Sequence, residues 1–291
     1  MRDLGSDLRI SLRRLLAAPG FASLVILTFA LGIGANTTLF TFFDRVFLRP
    51  LPVAAPERLV MLHGPGPNQG FITMSKNEPF PMSHPMYKDF RDRNEVFSGV
   101  LARFPVALTM LRERQSERVS GELVSGTYFE VLGLKAVEGR LLNLADETTP
   151  GGNPVAVLSH GFWTRRLGAD RAAVGSTVRL NGHPITVVGV APAGFKGTDV
   201  GSEPDVFVPL TLKSRMTPTY DGLEERRYFW LHVMARLRPG VTPERAQTAM
   251  RVVFRQIREQ EALALEGASA QFLKRFRETP LNVWPGYRGL S

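Results

Sequence analysis

Cysteine is absent from the 291 residues, so no disulfide framework exists, a state compatible with either side of a membrane. The five histidines, His63, His84, His160, His183 and His232, stand apart from one another. Neither an HExxH pair nor a second histidine at helical spacing provides a zinc site. A G-x-S-x-G elbow is missing, and Ser159-His160 are only sequence neighbours, which makes Ser159 a helix cap before it makes it a nucleophile. GxxxxGK[ST] does not occur, so this polypeptide contains no phosphate-cradling ATPase loop. Gly64, Gly66 and Gly70 miss dinucleotide-binding spacing. The net charge of +9 and pI near 10.3 arise from 36 basic residues scattered among 27 acidic ones. Without a Lys/Arg block or a DNA-binding signature, nucleic acid is not the expected partner; anionic lipid is. No catalytic residue, metal ligand or cofactor site is expected. Asp199, Glu203 and Asp205 read as solvated loop acids ahead of a Ca²⁺ site.

One long apolar run is present. Phe21 to Phe43, FASLVILTFALGIGANTTLFTFF, carries no charge. At about 1.5 Å per residue it is about 34 Å long as a helix, enough for a hydrocarbon core of about 30 Å. A cleavable signal sequence has a shorter apolar region and a small-x-small site, and this run has neither. A buried core helix is the remaining alternative, because Ser23, Thr28, Asn36, Thr37, Thr38 and Thr41 dilute the run. Ala30, Gly34 and Thr38, and likewise Thr37 and Thr41, recur every four residues, where a second membrane helix approaches closely.

Orientation is not set by charge. Arg9, Arg13 and Arg14 precede the run, and Arg45, Arg49 and Arg58 follow it. The long domain after the span crosses largely regardless of charge, which places the N-terminus in the cytoplasm. Leu4, Leu8, Leu12, Leu15 and Leu16 form an apolar stripe in the leader, so residues 1–20 are expected to lie along the membrane surface.

The remainder reads as mixed strands and helices, an α+β class in one or two subdomains. Strands are expected at Leu59–His63, Val119–Val124, Val155–Ser159, Val206–Leu210 and Phe229–Leu237. Thr177–Leu180 and Ile185–Val190 flank Asn181-Gly182, a hairpin signal, with His183-Pro184 as a potential extension of the loop. Helices are expected over Pro85–Asn94, over Ser159–Gly168 with Ser159 as cap, and after Thr242-Pro243-Glu244 with Ala246, Met250, Val253 and Ile257 facing the core. Gly139, Gly175, Gly182, Gly189 and Gly194 mark turns, bulges or close backbone approaches, and Tyr128, Phe129, Leu132, Phe162 and Trp163 mark helix anchors on a sheet.

Six collinear strings resemble one family. DLRISLRRLLAAPGFASLVILTFALGIGANTTLFTFFDRVFLRPLP from Asp7 to Pro52, VSGELVSGTYFEVLGLKAVEGR from Val119 to Arg140, PVAVLSHGFWTRRLGADRAAVGSTVRLNG from Pro154 to Gly182, TVVGVAPAGFKG from Thr186 to Gly197, PDVFVPL from Pro204 to Leu210 and ARLRPGVTPERAQ from Ala235 to Gln247 are similar to the MacB-like periplasmic core domain and preceding helix of FtsX-like ABC transporter permeases, of the duplicated type common in acidobacteria. The resemblance implies a bacterial inner-membrane protein with a periplasmic head. The expected segments are the leader 1–20, the transmembrane helix 21–43, an exit segment 44–56, the core domain 57–282 and a tail 283–291 leading toward a second span that the sequence does not contain.

It further implies a non-catalytic permease-type subunit or fragment that couples a cytoplasmic ABC ATPase, supplied in trans, to the periplasmic head, as a dimer or beside other permease helices. Ala30, Gly34, Thr37, Thr38 and Thr41 are the candidate helix-packing residues. The alternatives are a membrane-tethered ligand- or partner-binding module and an inactive truncated remnant.

Overall fold

The computed structural model describes residues 17–43, 50–73, 81–112, 115–199 and 201–289. Most of the expected leader, residues 1–16, and residues 44–49 of the expected exit segment lie outside them. Two units are present, Met1–Arg49 and Pro50–Ser291.

In the first unit the uncharged run folds as α1, Pro19–Phe43. Pro19 opens it at a position where its missing N–H costs nothing. The helix is long and apolar enough to cross a membrane.

The second unit begins with β1, Leu59–His63, and β2, Phe71–Ile72. Ser83 accepts the Met86 N–H at 3.3 Å and so caps α2, His84–Arg93. β3, Phe97–Arg112, and β4, Gln115–Val124, form a long antiparallel ribbon with register Arg103↔Val124 through Arg112↔Gln115. α3, Tyr128–Leu132, stops at Gly133 in left-handed conformation, φ 70°. β5, Glu138–Gly139, and β6, Val155–Leu158, follow. Ser159 then caps α4, His160–Leu167, by accepting the Phe162 N–H at 3.2 Å. β7, Thr177–Leu180, and β8, His183–Val190, meet at Asn181-Gly182 with φ of 48° and 85°. Leu180 pairs with His183, so the loop has two residues, and His183-Pro184 belongs to the strand instead of lengthening the turn.

β9, Val206–Pro209, α5, Lys213–Met216, β10, Tyr228–Phe229, and β11, His232–Leu237, come next. Thr242 caps α6, Pro243–Ala262, accepting the Arg245 N–H at 3.3 Å. α7, Ala270–Glu278, and β12, Asn282–Pro285, complete the described elements.

Ten strands make one sheet in the order β12–β1–β11–β3–β4–β9–β6–β8–β5, with β7 paired to both β3 and β8; β10 and β2 make a separate parallel pair. Period-two alternation splits the core across this sheet. Val100 and Ala102 of β3 join Tyr87, Phe90, Phe254 and Trp230 on one side. Leu101 joins Tyr128, Phe129, Phe195 and Phe207 on the other. Phe129 and Phe207 meet edge-to-face at 5.3 Å. Strands buried on both faces need continuous apolar sequence, and β9, VFVP, and β11, HVMARL, supply most of it.

Several expected boundaries shift. The strand expected over Phe229–Leu237 is broken, because the Trp230 and Leu231 N–H groups both turn to Met82 O, at 3.1 and 2.9 Å. Phe254 joins Ala246, Met250 and Ile257 as a fully buried member of the α6 stripe, with half-buried Val253 packed against the same core; the i, i+4 step from Met250 brings the Phe254 ring onto Phe90, centroids 6.2 Å apart. The boundary expected between Asn282 and Val283 falls inside β12, where Leu62↔Val283 and Met61↔Trp284 pair with β1. Leu51 N–H donates to Tyr287 O at 2.8 Å, so Leu51, expected in the exit segment, is bonded into the head.

Candidate functional site

Three features of the chain bear on function, one in the first unit and two in the second. In α1, Ala30, Gly34 and Thr38 fall on one helical face with Thr37 and Thr41 beside it, at about 100° per residue. All five are exposed within their unit. Thr38 donates its hydroxyl to Gly34 O and Thr41 to Thr37 O, each at 2.7 Å, and Thr28 donates to Leu24 O at 2.8 Å. These bonds close the Thr28, Thr38 and Thr41 hydroxyls inside the helix, so these three threonines carry no unsatisfied polar group. Gly34 leaves open space where a Cβ would stand. The face therefore presents only small side chains.

In the head, Arg103 of β3 is a buried cation held by two carboxylates. Its Nε pairs with Glu122 of β4, and its Nη1 and Nη2 pair with the two oxygens of Asp199, in the loop between β8 and β9. Thr198 accepts from Nη1 at 3.3 Å, and Tyr128 donates to Glu122 Oε2 at 3.3 Å. Burial pushes Glu122 up to about 7, with Arg103 opposing that shift. His232 of β11 is driven down to about 4 by burial and by Arg103. Arg103 thus lies between the Asp199 carboxylate and a Glu122 carboxyl whose charged form burial disfavours, while burial keeps His232 from adding a second cation. The structural effect of the cluster is to tie the Gly197–Asp199 loop to the central ribbon.

Asp199 thus corrects the expectation of a solvated loop acid. Glu203 pairs with Lys196 at the surface, and Asp205 Oδ2 accepts the Ser120 N–H at 3.0 Å. Among the described residues no group of three or more His, Asp or Glu is placed to hold a metal ion. His63 stacks on Trp284 at 4.0 Å, His160 sits at the start of α4 against Thr164, and His183 opens β8. The structure does not bring these histidines together.

A hollow of about 580 Å³ opens beside β2 and β10, lined by Phe71, Phe104, Tyr220 and Tyr228 with Lys213 at its base. The Lys213 ammonium lies 4.7 Å from the Trp230 ring centroid and 5.1 Å from that of Tyr228. It donates to Thr217 Oγ1 at 2.7 Å and to Tyr220 O at 3.1 Å. Burial lowers it to about 8. The residues of this hollow are far apart in the chain, and no local spacing in the sequence links them.

Residues 22–253 match the sequence profile of the family described as MacB-like periplasmic core domain. No curated protein sequence matches the chain. Among solved structures, a domain assigned to a permease protein of Porphyromonas gingivalis superposes with a TM-score of 0.52 at 14% identity, covering 80% of this chain and 92% of the other. The periplasmic region of MacB from Actinobacillus actinomycetemcomitans gives 0.52 at 13% identity, covering 80% and 90%. At such identities the likeness is one of fold.

Proposed function

The chain belongs to the family of MacB-like periplasmic core domains, and on that premise we propose that it works as a permease-type subunit of an ABC transport system, anchored by α1 in the bacterial inner membrane. The N-terminus is cytoplasmic and the head periplasmic. An ABC ATPase in trans drives α1, and the head passes that motion to cargo or to a periplasmic partner. The observation that carries this reading is the span of the family match, which starts at residue 22 inside α1 and runs through residue 253 of the head. The match thus takes in most of α1 together with the head.

Motion of two facing heads requires helix association, and the Ala30–Gly34–Thr38 face is the surface fit for it. Because the chain lacks cysteine, one introduced thiol reports contact without background. Gly34→Cys is expected to cross-link to a second copy, or to a companion permease helix, in native membranes under mild oxidation. Phe29→Cys, about 140° away around the helix, is expected to stay unlinked. A chain that is monomeric at both positions overturns the reading.

A second reading, a membrane-tethered ligand-binding module, is favoured by the aromatic hollow around Lys213. Exchanging residues 21–43 for an unrelated apolar helix separates the two. A tether keeps its activity after the exchange, and a transmitting helix loses it while still inserting.

A further inference from the structure

The hollow beside β2 and β10 is walled by rings that touch one another. Tyr220 meets Tyr228 edge-on at 4.8 Å and Phe71 at 6.1 Å, and Phe104 meets Trp230 edge-on at 5.3 Å. A Cβ at Gly222 would lie 2.6 Å from Tyr220 and closer still to Tyr228, so a glycine there lets the two tyrosines stand against each other. Thr73 holds the Tyr228 hydroxyl by donating to it at 2.8 Å. The mouth is open to solvent, with Phe71 72% exposed, Ile72 50% and Tyr220 45%. Lone apolar residues on a surface are ordinary, but these three border one concavity. Its volume of about 580 Å³ falls within the span of small-molecule sites, about 300–1,000 Å³, and aromatic walls suit a flat apolar body.

The charge of the site sits beneath its wall. Lys213 is 1% exposed, so a ligand in the hollow does not touch its ammonium, which donates to Thr217 Oγ1 and Tyr220 O and faces the rings of Tyr228 and Trp230. Its field still crosses the wall. The Phe104 and Tyr228 centroids lie 5.9 and 5.1 Å from the ammonium, so a guest in contact with these rings stands within about 10 Å of it. At an effective dielectric of about 20, a unit charge at that distance shifts the affinity of a charged guest by about tenfold. Asp221 carries the opposing charge, but it is exposed to water, where screening is stronger. Among the described residues that line the hollow, Lys213 is the one cation. Because it is sealed, an anion entering the hollow would give up its hydration without gaining a partner.

We propose that this hollow binds an uncharged aromatic compound and that Lys213, from beneath the wall, disfavours cationic ones. The inference rests on the ligand-binding reading of the head and names the class of its ligand.

The test titrates the full chain in lipid nanodiscs with 2-naphthylmethanol and, separately, with 2-naphthylmethylammonium chloride, a ring of the same shape carrying one positive charge. The pH is held at about 6.5, where Lys213 is charged. Empty nanodiscs give the partition of each compound into lipid. The ¹³C shift of the Ile72 δ1 methyl reads the site itself, since a ring seated beside it displaces the resonance. The alcohol is expected to move this methyl to saturation, and the ammonium compound to need about tenfold more free ligand. Lys213→Met removes the charge at similar length, and is expected to bring the two affinities within about twofold of each other. Phe71→Ala removes a rim ring that stands mostly in water, so the fold is kept, and is expected to weaken the alcohol by about threefold to tenfold. That variant locates the site even if Lys213→Met fails to fold. An Ile72 methyl indifferent to the alcohol overturns the proposed ligand, while the ligand-binding reading is decided separately by the exchange of residues 21–43. Equal or tighter binding of the ammonium compound by the parent overturns the role assigned to Lys213.

Discussion

Arg103, Glu122 and His232 set up opposing responses to pH inside one layer of the head. Burial raises Glu122 from 4.5 to about 7, so between those values the folded chain holds a proton that the unfolded chain has lost, and this group's contribution to stability falls as pH rises. Burial lowers His232 from 6.5 to about 4, so between those values the unfolded chain holds the extra proton and stability falls as pH drops. Across the overlap, folding moves one proton from the histidine to the glutamate and the two slopes cancel. Removing either partner unmasks the other. Glu122→Gln is expected to lose, relative to the parent, about 1 kcal/mol of stability per pH unit on going from pH 6 down to pH 5. His232→Gln is expected to lose a similar amount per unit in the opposite direction. Chemical unfolding of the parent and both variants at pH 5 and pH 6 measures the slopes, and parallel slopes in all three would show that the pair is not coupled to folding.

At the scale of elements, the joint between β5 and β8 is set by contact distance. A Cβ at Gly189 would lie 2.1 Å from Arg140 O and 2.7 Å from Arg140 N, whereas one at Gly182 meets nothing within 4 Å. Gly189→Ala must push two backbones apart and is expected to cost about 2–4 kcal/mol. Gly182→Ala pays only for its positive φ of 85°, about 1 kcal/mol. Denaturant midpoints of the two variants give the ranking, and a cost at Gly182 equal to or larger than that at Gly189 would contradict it. Both glycines were legible in the sequence, as were the Ser159 and Thr242 caps, because turn and cap chemistry is decided within a few residues. The long strand β3 was not legible. Pro105 interrupts its pattern, yet it sits just past the last β3–β11 pair, His232↔Arg103, where one side of the strand has no sheet neighbour and a missing N–H is tolerated. The buried cluster was equally hidden, since Arg103, Glu122 and Asp199 each look like solvated charges until the register Pro105↔Glu122 and the Gly197–Asp199 loop bring them together.

For the whole molecule, the proposed role rests on which compartment holds the head. Each Leu, Ile, Phe or Val near the centre of α1 favours insertion by about 0.3–0.6 kcal/mol, and a single Arg or Asp there would oppose it by about 2.5–3.5 kcal/mol. The absence of any charge from Phe21 to Phe43, with the Thr28, Thr38 and Thr41 hydroxyls bonded back to the helix, leaves insertion favourable. The chain is therefore expected to stay with the membrane through an alkaline carbonate wash, and Leu31→Arg with Phe29→Asp is expected to release it. Protease added outside spheroplasts should digest residues beyond about 50 and leave an N-terminal fragment protected. The flanking arginines are balanced, so the proposed inward N-terminus would depend on translocation of the long segment that follows the helix, and adding lysines just after residue 43 tests that dependence. An inverted protection pattern in the unmodified chain would put the head in the cytosol, where α1 could not pass motion from a cytoplasmic ATPase to a periplasmic partner.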